Sequence, residues 1–201
     1  MREGNEAARN PGIEAGDDAR LVQRWIDALE SDVVRAAIAD VHDEIGRAIA
    51  AASPRCEMSG RCCKFDAFGH RLYVTGLEAA LTLVDAGAIV ETNPDASRHS
   101  ARDFAQNSGC LFQVGNTCGV HAHRPAGCRV YFCDPSWSGA MNDVAERAVE
   151  QVREIHDRFE IPYRYMEWRA LLTMFDGCVG PIDFSGIDES TRITREGESL
   201  G

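Results

Sequence analysis

The sequence predicts a mainly α-helical fold with one small β-hairpin, in which helices brace an irregular, cysteine-rich metal-binding centre. Three observations carry this. Segments towards both ends repeat apolar residues at three- and four-residue spacing, the period of a helix with one buried face. Two stretches between them, 55–69 and 121–137, show no period and collect Gly and Pro instead. Of eight cysteines, seven fall at positions 56 to 133.

The elements follow in order. Residues 1–18, polar and with Pro11, are expected to be a disordered arm. From Ala19 a helix carries Leu21, Val22, Trp25, Ile26 and Leu29, with Asp17 and Asp18 suited to its positive end. Ser31 or Asp32 caps a second helix with the stripe Val34, Ala37, Ile38, Val41, Ile45, Ala48 and Ile49; His42 beside it reads as packed or solvated. Ser53-Pro54 ends that helix, because the residue before proline avoids helical angles. Residues 55–69 read as loop and His70–Val74 as a short strand. Thr75-Gly76-Leu77-Glu78 has the form of a capping box, opening a helix through Leu81 and Val84 that stops near Gly87.

Residues 91–108 read as a polar connection. Leu111–Val114 and Thr117–Val120 flank Gly115-Asn116, a hairpin with a two-residue turn. Asn142–Phe159 is a strong amphipathic helix, Ile161-Pro162 interrupts it, and Tyr163–Phe175 reads as a further helix. Residues 176–201, with Cys178, read as a tail. One domain over 19–175 is the expected organisation, at a length of 201 residues.

Composition narrows the function. Lys+Arg 21 against Asp+Glu 32 gives a net charge of -11, which argues against nucleic acid and anionic membrane surfaces as partners. No run approaches the ~18 apolar residues of a spanning helix. The polar start Met1–Glu6 lacks an apolar signal core, so a cytoplasmic protein is expected. In that setting many thiols point to metal ligands or redox groups. The candidate ligands are Cys56, Cys62, Cys63, Cys110, Cys118, Cys128 and Cys133, all in loop-like sequence rather than on apolar helix faces. Thiolates favour zinc or iron–sulfur clusters over hard cations. Arg55, Arg61, Lys64, Arg124 and Arg129 flank them, and cations stabilise thiolates.

Four-coordinate zinc takes four ligands. Seven thiols therefore admit a four-iron cluster with thiols to spare, two zinc ions sharing thiolates, or one zinc beside ordinary buried cysteines. Side chains of adjacent residues in an extended chain point apart, so Cys62 and Cys63 can serve different metal atoms. His121 and His123, between Cys118 and Cys128, are candidate nitrogen ligands. The leading expectation is a metal-binding protein in a redox or maturation setting with an unidentified protein partner. One alternative is a metal-dependent enzyme with an open coordination position, with His121, His123, Glu57 and Asp134 as candidate acid–base groups. The other is a helical interaction protein with structural thiols.

The segment Gly109-Cys110-Leu111-Phe112, then Cys118-Gly119-Val120-His121-Ala122-His123-Arg124-Pro125-Ala126-Gly127-Cys128-Arg129-Val130-Tyr131-Phe132-Cys133, resembles the YkgJ-type cysteine-cluster family. That family is described as zinc- or iron-chelating and is named for a Cys-x2-Cys-x2-Cys-Cys motif, on which Cys56 to Cys63 falls. The resemblance implies Cys56, Cys62, Cys63, Cys110, Cys118 and Cys128 as ligands, with Cys133 as an addition, holding an iron–sulfur cluster (of the four-iron type) or zinc. A similar cluster in flagellin lysine methylases suggests iron–sulfur chemistry, but this chain is shorter and shows no glycine-rich cofactor loop. Ser59 stands where the motif has its second cysteine. Either the site lacks that thiolate or Cys133 takes its place.

Overall fold

The computed structural model describes residues 15–89, 109–180 and 182. The connection expected at 91–108, the first fourteen residues of the expected arm and most of the expected tail lie outside them. In chain order the elements are α1 (Ala15–Ala28), α2 (Asp32–Ala52), α3 (Phe65–Phe68), β1 (Tyr73–Thr75), α4 (Gly76–Asp85), β2 (Gln113–Val114), β3 (Thr117–Cys118), α5 (Ala126–Val130), α6 (Ser138–Arg158), β4 (Tyr165–Glu167) and α7 (Trp168–Val179).

The long helices lie where the apolar period predicts. Residues 15–18, expected in the arm, instead form the first turn of α1, with Asp17 and Asp18 at its positive end. Ser31 stands at the N-cap of α2 without a side-chain capping bond, and Ser53 closes it in the left-handed region at φ 47°. α2 buries Val34, Ile38, Val41 and Ile45 and packs along α6 and α5, while α1 packs on α4 and α7. Trp25 of α1 is fully buried. It stacks on Phe175 at 6.0 Å between ring centres and donates its indole N–H to the Pro162 carbonyl at 2.8 Å. Gly76 is the price of that fit, since a β-carbon there would collide with the Trp25 ring.

The capping box forms in full. Thr75 Oγ1 accepts the Glu78 N–H at 3.3 Å, and Glu78 Oε2 accepts the Thr75 N–H at 3.0 Å. The expected hairpin is also present, with Val114 paired to Thr117.

Three further readings need correction. Tyr163–Phe175 is not one helix: Tyr165–Glu167 forms β4, antiparallel to β1 with Val74 opposite Met166. The free edge of β1 decides this. Gly76 donates its N–H to the Arg164 carbonyl at 3.0 Å and Trp168 to the Leu72 carbonyl at 2.9 Å, so long-range pairing overrides the local period. The helix then starts at Trp168, with Glu167 accepting the Ala170 N–H at 3.1 Å, and runs to Val179, which places Cys178 on α7 rather than in a tail. Within 121–137, expected to be irregular, α5 is a short helix, and it carries Cys128.

Candidate metal centre

The candidate cysteines lie on a 3-10 turn, at the start of the hairpin segment, at the end of β3 and on α5. Gly60, at φ 69°, lets the chain reverse into the 3-10 turn Arg61–Cys63. That turn presents Cys62 and Cys63 together, with their sulfurs 3.9 Å apart. Cys110 is tied directly to it, because its N–H donates to the Cys63 carbonyl at 2.7 Å. The preceding residue must be glycine for this approach: a β-carbon at Gly109 would stand 2.7 Å from the same carbonyl oxygen. Cys118 ends β3 and Cys128 lies on α5.

The sulfurs interact. Cys63 is buried with its sulfur 3.9 Å from that of Cys62, and its thiol neighbours Cys110, Cys118 and Cys62, with burial, push its ionisation well above the ordinary thiol range. Its neighbours move the other way. Cys62 is lowered to about 6, first by the hydrogen bond from Cys63 and further by Arg124. Cys118 is lowered for the same leading reason, with the Val120 N–H and Arg124 adding to it. Burial pushes Cys128 up, as do the charges of Cys110 and Cys118. Five thiols from four segments therefore share one electrostatic environment.

Of the flanking cations, Arg124 lowers Cys62, Cys118 and Cys128 alike. Its guanidinium is aimed by bonds to the His121 carbonyl at 3.1 Å and the Cys128 carbonyl at 3.3 Å. The others have different employment. Arg129 holds the carbonyls of Arg124 and Ala122, Lys64 holds the Ser59 carbonyl and Asn116, and Arg61 lies over the Phe68 ring.

Cys133 stands beside this group, its sulfur 3.8 Å from Ser59 Oγ. Cys56 is exposed. Cys178, on α7, has Asp18 as its charged neighbour. All eight thiols are free, with no disulfide among them. His121 is exposed, while His123 turns Nδ1 towards Asp85 at 3.9 Å. Asp134 accepts the Arg55 N–H at 2.9 Å and the Ser136 N–H at 3.0 Å, which hold its carboxyl at about 2. Glu57 faces Arg61 at 4.0 Å. A cavity of about 280 Å³ between α2 and α6, lined by Glu44, Arg47, Arg147 and Gln151 among others, holds none of the cysteines.

Glu78 is the positioning group that sequence reasoning found only by half. Besides closing the capping box, its other oxygen accepts the Ala126 N–H at 3.0 Å, at the start of the helix bearing Cys128. The sequence signal was the capping box; nothing local pointed to its second partner.

The donor set fits a soft metal, being all sulfur. The 3.9 Å between Cys62 and Cys63 is close to the edge of a zinc tetrahedron, about 3.8 Å for Zn–S bonds of about 2.3 Å. Among the described residues, no group of three or more His, Cys, Asp or Glu side chains is already placed to hold an ion. The Cys62 and Cys63 sulfurs are in hydrogen-bond contact, so binding requires thiols to lose protons.

Residues 55–152 match the family model CxxCxxCC, described as "Putative zinc- or iron-chelating domain". The match spans all seven clustered cysteines. No curated protein and no solved structure matches the chain.

Proposed function

We propose, from the premise that residues 55–152 form a CxxCxxCC domain, that the chain holds a thiolate-bound metal centre drawn from Cys62, Cys63, Cys110, Cys118 and Cys128, with Cys56 and Cys133 as further candidate ligands. The observation that carries this is the approach of Cys62, Cys63 and Cys110, with two sulfurs 3.9 Å apart and the Cys110 N–H on the Cys63 carbonyl at 2.7 Å. Zinc is the favoured metal. Neighbouring thiolates on one ion lie at the tetrahedral edge, as Cys62 and Cys63 do, whereas each thiolate of a four-iron cluster sits on its own iron and stands wider apart. When bound, the metal supplies folding free energy and neutralises thiolate charge. Arg124 offsets what remains.

A second reading, an iron–sulfur cluster in a redox or maturation accessory, is favoured by thiols in excess of the four one zinc needs. The full chain, expressed and purified without oxygen, tests both by elemental analysis and thiol titration before and after chelation. About one zinc per chain with four or more thiols protected supports the first reading. Iron with acid-labile sulfide and brown colour supports the second. Trace metal only, with every thiol reacting freely, overturns both.

A further inference from the structure

The first cysteine packet lacks a thiol where the family pattern has one. Laid on CxxCxxCC, the packet reads Cys56, Ser59, Cys62, Cys63. A serine hydroxyl is a hard, neutral donor at ordinary pH and does not replace a thiolate on zinc or iron. We propose that Cys133 supplies the missing thiolate, delivered to the place of residue 59 from 74 positions downstream, and that Ser59 is kept as a hydrogen-bond donor to it. This rests on the metal-binding reading above.

Four observations converge. Ser59 Oγ and Cys133 Sγ are 3.8 Å apart, so the sulfur lies in contact with the place where a cysteine at 59 would hold its own. The two segments are clamped beside that contact, because the Arg55 N–H donates to Asp134 Oδ2 at 2.9 Å. The turn that aims Ser59 is fixed from the other side by Lys64 Nζ on the Ser59 carbonyl at 3.1 Å and on Asn116 Oδ1 at 3.1 Å. Finally, Tyr131, two residues before Cys133, ties that segment to the Cys62 turn. Tyr131 in turn stacks on His70 at 5.1 Å, and His70 Nε2 lies 3.3 Å from the Cys62 carbonyl, so the same ring packing spans the two cysteine segments.

The exchange predicts a rescue that a structural role for Cys133 does not. Cys133→Ser, Ser59→Cys, the double variant and Cys118→Ser are compared by competition of zinc against a chromophoric chelator, in the full-length protein. Cys133→Ser is expected to weaken retention by more than the roughly 10- to 100-fold that loss of an outer-shell partner produces. Adding Ser59→Cys to it is expected to restore retention to the wild-type range. In the metal-free Ser59→Cys protein, mild diamide oxidation is expected to join residues 59 and 133, read by non-reducing peptide mapping, and added zinc to suppress that bond. This proximity measurement also serves if Cys133→Ser fails to fold. Wild-type retention by Cys133→Ser while Cys118→Ser loses zinc overturns the exchange and leaves the metal centre standing. So does a double variant no better than Cys133→Ser. Wild-type retention by Cys118→Ser as well overturns the ligand set, and failure of the wild-type protein to retain zinc overturns the metal reading itself.

Discussion

Glu78 and Ala126, 48 residues apart, are joined by a hydrogen bond from the Ala126 N–H to Glu78 Oε1 at 3.0 Å. The other oxygen of the same carboxylate takes the Thr75 N–H and hydroxyl, each at 3.0 Å. One buried carboxylate therefore organises the N-terminal ends of both α4 and α5, and α5 carries Cys128. Burial raises the Glu78 carboxyl above its ordinary range, opposed by the donors from Thr75 and Ala126. The cost of burying it is thus met by three donors that it alone satisfies.

Glu78→Ala leaves two buried backbone N–H groups without their acceptor. A loss of about 2–3 kcal/mol is expected, read as a lower urea midpoint, together with weaker zinc retention because α5 is released. Glu78→Gln, which keeps one acceptor oxygen, is expected to lose less. Equal midpoints for wild type and Glu78→Ala would remove this residue from the account.

The thiols separate by position. Cys118→Ser and Cys128→Ser are expected to lose metal and to unfold at lower temperature than metal-loaded wild type. Cys178→Ser, on α7 with Asp18 beside it, is expected to do neither. Metal content and melting temperature measured side by side decide the matter, and three variants of identical behaviour would contradict the assignment of ligands.

Stability is expected to fall in mild acid. Burial, aided by Arg129, lowers His42 from 6.5 to about 4, and its Nε2 has no hydrogen-bond partner among the described residues. His156, buried against the Ile161 carbonyl, is lowered too, chiefly by burial. A histidine lowered in the folded state contributes fully above its unfolded value and loses that contribution as pH falls towards the folded one, because only the unfolded chain takes up the proton there. For His42 the window runs from pH 6.5 to about 4, and the loss approaches about 3 kcal/mol. His42→Leu is expected to flatten most of this slope in urea titrations at stepped pH, leaving the smaller share of His156. An unchanged slope would show that His42 titrates normally.

Two glycines are expected to respond in opposite directions. Gly109→Ala places a carbon 2.7 Å from the Cys63 carbonyl, so it should part Cys63 from Cys110 and lower both stability and zinc retention. Gly46→Ala, in the interior of α2 with open space about it, should raise stability by roughly 0.5–1 kcal/mol through helix propensity, read as a higher urea midpoint. A destabilised Gly46→Ala protein would contradict the packing described for α2.

The long helices were legible because their stability comes from a periodic apolar face that local sequence displays, as in Val34, Ile38, Val41 and Ile45. The capping box was legible because Thr75 and Glu78 lie three residues apart and answer each other. β4 was not, since its partner β1 is far away in sequence and the pairing, not the residues of Tyr165–Glu167, selects the strand. The same limit applied to the centre. Chemistry nominated the thiols, but the pairing of Cys110 with Cys63 through the backbone, and the choice of Arg124 among five flanking cations, depend on contacts that spacing does not encode.

The boundaries of the matched segment have a practical consequence. Residues 55–152 exclude α1, β4 and α7, yet Trp25 seals Gly76 from one flank and Trp168 meets Phe112 at 5.8 Å from the other. A fragment trimmed to those limits would bare the oily underside of α4 and the open rim of β1, inviting clumping whether or not zinc is supplied. The outer helices act as splints, and the chelating segment depends on them to stay upright.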